Sequence, residues 1–111
     1  MIFVESRIFT ARLTRQAGEA ERDVFDQIQA DLLKNPERGS IVQDLGGIRK
    51  ARSANPGRGK GKRGGYRYLF LYLQHKQHIH LLYLFDKDEE EDLTKEERKM
   101  LRQLANQIRN S

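Results

Sequence analysis

Three cations, Lys50, Arg52 and Arg67, have the residue types and the spacing for phosphate chemistry. Lys50 and Arg52 stand two apart in Ile48-Arg49-Lys50-Ala51-Arg52, a segment that reads as a strand. Their side chains therefore share one face, and Arg49 lies on the other. Arg67 stands at the start of the next strong strand, and if the two strands pair as a long hairpin the three cations converge on one concave patch. Crowded cations repel one another, which favours the neutral form of a lysine and suits it to serve as a general base. Arginine keeps its charge and clamps a phosphate through two bonds at once. Such a set has the parts for phosphodiester cleavage by a ribose 2′-OH: a base, a stabiliser for the pentavalent state and a donor for the leaving oxygen. The same residues could equally hold RNA without cutting it, or pair with acidic groups of a partner. Spacing alone leaves these readings open.

The surrounding charge favours a polyanion. Between Asp44 and Asp86 there is no acidic residue, while nine cations (Arg49, Lys50, Arg52, Arg58, Lys60, Lys62, Arg63, Arg67 and Lys76) lie in that window. The other 12 of the 21 Lys and Arg share the rest of the chain with all 16 Asp and Glu, so that remainder is net negative. A cationic surface on a mildly acidic body attracts nucleic acid.

The most crowded part of the window, Ser53 to Gly65, holds five glycines, Pro56 and four basic residues, and reads as a flexible loop. Within it Gly59-Lys60-Gly61-Lys62-Arg63-Gly64 matches GxGxxG, but here the motif opens a strand instead of a helix. A dinucleotide site requires the helix, whose N-terminus meets the pyrophosphate. No Ser or Thr follows Lys60 or Lys62, so the Walker pattern fails as well. What survives is adaptable backbone bearing Arg58, Lys60, Lys62 and Arg63, which suits an irregular RNA backbone better than a fixed cofactor. Tyr66, at the mouth of that loop, could stack on a base. Of His75, His78 and His80, the last two share a strand face, but a third metal ligand is wanting. They read as ordinary strand-edge residues, and neither a metal nor another cofactor is expected.

These residues need a sheet to position them. Tyr66 to Leu73 and His78 to Phe85 are near-continuous in apolar and aromatic residues, as central strands covered on both faces are, with a tight turn between. Met1 to Glu5 reads as a short strand. Ser6 caps a helix carrying Phe9 and Leu13 and ending near Gly18. A second helix runs from about Glu19 to Lys34 with Val24, Ile28 and Leu32 recurring every four residues, and Asn35-Pro36 ends it. After the acidic connector Asp86 to Asp92, Thr94 and Glu97 form a capping box for a last helix with Leu101, Leu104, Ala105 and Ile108 on one side. The order β-α-α-β-β-β-α predicts an α+β domain over residues 1–111, with helices packed on a mainly antiparallel sheet and the loop 53–65 within it.

Composition narrows the setting. There is no cysteine, so disulfide and thiolate chemistry are excluded. No run approaches the roughly 20 apolar residues of a membrane helix. Met1 to Arg12 lacks the pattern of a secretory leader, and a cytoplasmic protein that does not engage membranes is expected.

At Gly46-Gly47-Ile48-Arg49-Lys50, the Gly/Lys/Arg loop, Gly64-Gly65-Tyr66-Arg67 and the acidic turn before a capped helix, the chain resembles the RelE/ParE superfamily of toxins, most closely its HigB-type branch. The resemblance covers nearly the full length, including the opening Ile2-Phe3-Val4-Glu5-Ser6 and the Asn35-Pro36 helix end. It implies a RelE-like fold and a metal-independent, ribosome-dependent mRNA endonuclease, the toxin of a type II toxin–antitoxin system. Such toxins enter the ribosomal A site, where mRNA and rRNA surround them. The 2′-OH attacks the adjacent phosphate, leaving a 2′,3′-cyclic phosphate and a 5′-hydroxyl. The resemblance further implies a cognate antitoxin, often with a helix-turn-helix domain.

By sequence context, the catalytic positions of RelE fall on Lys50, Arg52 and Arg67, and Lys87 occupies the lysine at the end of the last strand. Arg49, Arg58, Lys60, Lys62, Arg63 and Tyr66 are the expected RNA contacts. Asp88 stands where RelE has an arginine, and the tyrosine near the RelE C-terminus has no counterpart in Asp92 to Ser111. The general acid is therefore unassigned among Lys62, Arg63, Lys87 and a group of the ribosome. The alternative functions are inhibition of DNA gyrase in the manner of ParE and RNA or ribosome binding without cleavage.

Overall fold

Two long strands, Arg67–Leu73 and His78–Leu84, are apolar on both faces because helices cover both sides of the sheet. The computed structural model describes residues 1–53, 65–85 and 93–111. Along them run β1 (Ile2–Glu5), α1 (Arg7–Ala17), α2 (Glu21–Lys34), β2 (Ser40–Ile41), β3 (Arg49–Arg52), β4 (Arg67–Leu73), β5 (His78–Leu84) and α3 (Lys95–Arg109). The strands form one sheet in the order β1-β5-β4-β3-β2. All neighbours are antiparallel except β1, which lies parallel to β5. The expected α+β class holds. The addition to the expected order is β2, two residues paired with Arg49 and Lys50 and too short to announce itself by periodicity.

On one face, Phe9 and Leu13 of α1 and Val24, Ile28 and Leu32 of α2 pack on Ala51, Tyr68, Phe70, Ile79, Leu81 and Leu84. On the other, Leu101 and Ala105 of α3 pack on Leu69, Leu71, Leu73, Tyr83 and Phe85, with Leu45 and Ile48 of the β2–β3 connection. Alternation along β4 sends successive residues to opposite clusters, as pleated geometry requires. A register irregularity interrupts the alternation in β5: Leu69 pairs with Tyr83 but Phe70 pairs with Leu81. Leu82 is thus the extra residue of a bulge, and both Leu82 and Tyr83 join the α3-side cluster.

The ends of the helices follow local chemistry. The Ser6 hydroxyl accepts from the Phe9 N–H at 3.0 Å and donates to the Leu82 carbonyl at 2.9 Å, capping α1 and fastening it to β5 together. Gly18 ends α1 with a positive φ of 53°. Asn35 leaves α2 in extended backbone, as a residue before proline must. Thr94 and Glu97 form the complete reciprocal capping box. Among the described residues no helix is long and apolar enough to cross a membrane.

Candidate functional site

The β3–β4 register decides which cations meet. Arg52 lies directly opposite Arg67, and Lys50 directly opposite Leu69. Residues opposite one another across an antiparallel pair project to the same side, so Lys50, Arg52 and Arg67 share the face on which Leu69 packs against α3. Lys50, Arg52 and Arg67 line a small open pocket of about 180 Å3 together with Gly39 and Ala51. Like charges directly opposite one another are destabilising across a strand pair. An anion between the two guanidinium groups would offset that repulsion.

The backbone around this pocket is held from two directions. Beyond Arg52 and Arg67 the ladder continues through the Ser53 N–H, which donates to the Tyr66 carbonyl at 2.8 Å. From the other side, Gly39 adopts φ +76°, and a Cβ there would stand 2.0 Å from the Lys50 carbonyl oxygen. Only glycine lets the turn after α2 lie this close to the strand. Next to it, Arg38 donates to the Arg52 carbonyl at 3.2 Å and pairs with Asp31 of α2 at 2.8 Å. Gln27 holds the second Asp31 oxygen at 2.9 Å. Helix α2 thus reaches the backbone of the arginine strand through one salt bridge. Sequence reading missed Asp31, Arg38 and Gly39 because none of them carries a motif.

Other expected contacts lie elsewhere. Arg49 is opposite Phe70 and Ile41, on the face away from the pocket. Tyr66 corrects an expectation: it is only 4% exposed, packs in the core under α1 and α2, and donates its hydroxyl to the Gln16 carbonyl. A ring so covered offers no face for a base to stack on. Arg58, Lys60, Lys62 and Arg63, the GxGxxG-like run, the acidic connector and Lys87 lie outside the described residues.

A further cluster stands beside this face. The Arg12 guanidinium lies 4.4 Å from the centre of the Tyr83 ring and donates to the Leu84 carbonyl. The Tyr83 hydroxyl donates to Glu97 at 3.1 Å. The Thr94 N–H holds the Glu97 carboxyl below its ordinary range, helped by the Tyr83 and Thr94 hydroxyls and by Arg12 against a smaller opposing effect of burial. Because Tyr83 is opposite Leu69 and Leu69 is opposite Lys50, the first turn of α3 stands over the sheet row that contains Lys50.

A profile of the family described as the RelE toxin of the RelE/RelB toxin–antitoxin system matches residues 6–111. The chain belongs to the RelE toxin family. Solved structures agree in fold. The isolated Escherichia coli RelE toxin superposes with a TM-score of 0.57 at 11% identity, covering 96% of this chain and 97% of that one. A chain of the intact E. coli RelBE toxin–antitoxin complex gives 0.57 at 13% identity, covering 80% and 98%. A double arginine-to-alanine mutant of E. coli RelE in the free state gives 0.56 at 8% identity, covering 78% and 83%.

In this RelE-family chain a larger pocket, about 440 Å3, lies among β1, α1 and α2. Glu5, Glu19, Glu21 and Arg22 line it with Leu13 and Phe25, a set that repels phosphate. The smaller pocket, lined by Lys50, Arg52 and Arg67, suits an anion better despite its size. His78 and His80 have ring centres 6.1 Å apart, and no group of three metal-ligating side chains occurs among the described residues. Burial, His78 and Lys76 lower the His80 pKa from its ordinary value.

Proposed function

We propose that this chain is a ribosome-dependent mRNA endonuclease acting as the toxin of a type II toxin–antitoxin system. The observation that carries the reading is the β3–β4 register, which brings Arg52 and Arg67 opposite one another with Lys50 two residues along the same face. RelE-family membership supports the toxin role. The combination of Gly46-Gly47-Ile48-Arg49-Lys50, the Gly/Lys/Arg run and Gly64-Gly65-Tyr66-Arg67 supports placement in the HigB-type branch.

In the proposed reaction Lys50 either takes the proton from the ribose 2′-OH as general base or contacts the phosphate. The 2′ oxygen forms a bond to the adjacent phosphorus, and the bond from phosphorus to the 5′ oxygen breaks. Arg52 and Arg67 stabilise the charge of the pentavalent state, as preorganised donors do where charge develops. The leaving 5′ oxygen takes a proton from Lys62, Arg63, Lys87 or a group of the ribosome, giving a 2′,3′-cyclic phosphate and a 5′-hydroxyl. No metal takes part. Arg49, Arg58, Lys60, Lys62 and Arg63 contact mRNA or rRNA outside the pocket. A cognate antitoxin with a helix-turn-helix domain neutralises the toxin. The E. coli RelBE toxin–antitoxin complex, whose toxin shares this fold, supports such a partner.

The test is incubation of purified protein with programmed ribosomes, followed by mapping of mRNA ends. Wild type should cut the translated message, and Lys50→Ala combined with Arg67→Ala should lower the rate at least about 100-fold, the scale of losing a base and a charge stabiliser. Intact message with wild type, or undiminished cutting by the double variant, would sink the assignment. Intact messages with DNA breaks in arrested cells would point to gyrase instead.

A further inference from the structure

We propose that the arginine edge of α3, formed by Arg98, Arg102 and Arg109, is a second RNA-binding surface that takes the sugar–phosphate backbone beside the pocket. The inference rests on the endonuclease reading, for which it supplies a path for the RNA. It comes from the placement of α3, because charge counting had assigned everything outside residues 44–86 to a net negative body.

At about 100° per residue, positions 98, 102 and 109 fall within roughly 40° of one another on the helix. They span roughly 16 Å of its length, enough for more than one phosphate. Leu101 and Ala105 turn to the sheet beside them. Beyond that buried stripe the opposite edge of α3 carries Met100 and Leu104, which are apolar. The arginines are therefore confined to one edge, and it is the edge facing the β2–β3 connection.

Two contacts establish this direction. Arg98 Nη2 donates to the Gln43 carbonyl at 2.7 Å. The Arg109 guanidinium lies against Gly46 and Gly47, so close that a Cβ on Gly47 would stand 2.5 Å from its Nη2. Gly47, at φ +97°, combines a left-handed backbone with that approach. Arg102 is exposed between these two anchored arginines.

The chain then runs from Gly47 directly into β3, whose Lys50 and Arg52 point to the same side of the sheet that α3 covers. Pocket and helix edge thus border one surface. Among the described residues, the acidic groups nearby are Asp44, exposed in the connection, and Glu97, engaged by Thr94 and Tyr83. A surface with this excess of guanidinium groups matches a phosphate backbone, since arginine pairs with phosphate in a fixed fork.

The test is fluorescence anisotropy of a labelled single-stranded RNA oligomer with the full chain across a salt series. A cation that meets a phosphate steepens the fall of log K with log salt, by about 0.7 for a single strand. Arg102→Gln should lower the slope by about that amount, and Arg102→Gln with Arg109→Gln by about twice as much. Arg102→Gln leaves the Gln43 and Gly47 contacts in place, so it separates binding from folding, and thermal melting checks this. Arg15→Gln removes the same charge from α1, across the sheet, and should leave the slope unchanged. An unchanged slope in the Arg102 variant, or an equal drop in the Arg15 variant, would overturn the proposal. If the slopes behave as expected while wild type leaves mRNA intact on programmed ribosomes, the cleavage reading fails and the binding surface stands.

Discussion

Gly39 shows how a residue without functional groups constrains the pocket. Its φ of +76° and the 2.0 Å approach of a would-be Cβ to the Lys50 carbonyl leave no room for alanine. The backbone conformation alone costs a non-glycine residue about 1–3 kcal/mol. Gly39→Ala should therefore destabilise the protein by at least that much, read as a lower urea midpoint, and displace β2 from Lys50. Gly18→Ala is the control: its φ is also positive, but nothing lies within 4 Å of the added methyl, so its effect should be smaller. At the same scale, burial raises the Tyr68 hydroxyl to about 12, with Asp31 adding to the rise and Arg38 opposing it. Its oxygen is buried with no hydrogen-bond partner among the described residues.

Capping makes α3 an acid-sensitive element. The bonds from the Thr94 N–H, the Thr94 hydroxyl and the Tyr83 hydroxyl favour the charged Glu97, which lowers its pKa from the ordinary 4.5. A lowered folded-state pKa gives stability that is complete above the unfolded value and lost as pH falls through the folded one. The melting temperatures of wild type and Glu97→Gln should thus differ most near neutrality and converge as pH falls through the lowered folded-state pKa of Glu97. Parallel curves down to the acid limit would refute the linkage.

The capping box itself was legible in Thr94 and Glu97, as were β4 and β5 from their continuous apolar runs. Less was legible where tertiary contacts decide. Strand β2 exists only through its pairing with Arg49 and Lys50, and the bulge at Leu82 leaves no mark on a run already apolar at every position. The convergence of Lys50, Arg52 and Arg67 followed from spacing plus an assumed hairpin, and the register supplies that hairpin. Tyr66 was misread because an aromatic residue beside a basic loop looks the same in sequence whether it faces solvent or Gln16.

Among the described residues, the two pockets on opposite sides of the sheet differ in the charge of their linings. The helical pair carries the pocket lined by Glu5, Glu19 and Glu21, and the opposite side presents Lys50, Arg52, Arg67 and the α3 arginines. Such a field orients the protein as it approaches a polyanion, within a Debye length of about 8 Å at physiological salt. Replacing Glu19 and Glu21 with glutamine raises the net charge by two yet removes no phosphate contact. The salt slope of RNA binding should stay as in wild type, and a steeper one would place RNA over the helices.

The parallel seat of β1 sets the timing of assembly. Ile2 pairs with His78, and the Ser6 hydroxyl waits for the Leu82 carbonyl, 76 positions downstream. During translation neither β1 nor the start of α1 can dock until β5 has emerged, so loop closure over most of the chain precedes the reward of pairing. Until β5 has emerged, the nascent polypeptide has no finished sheet to present.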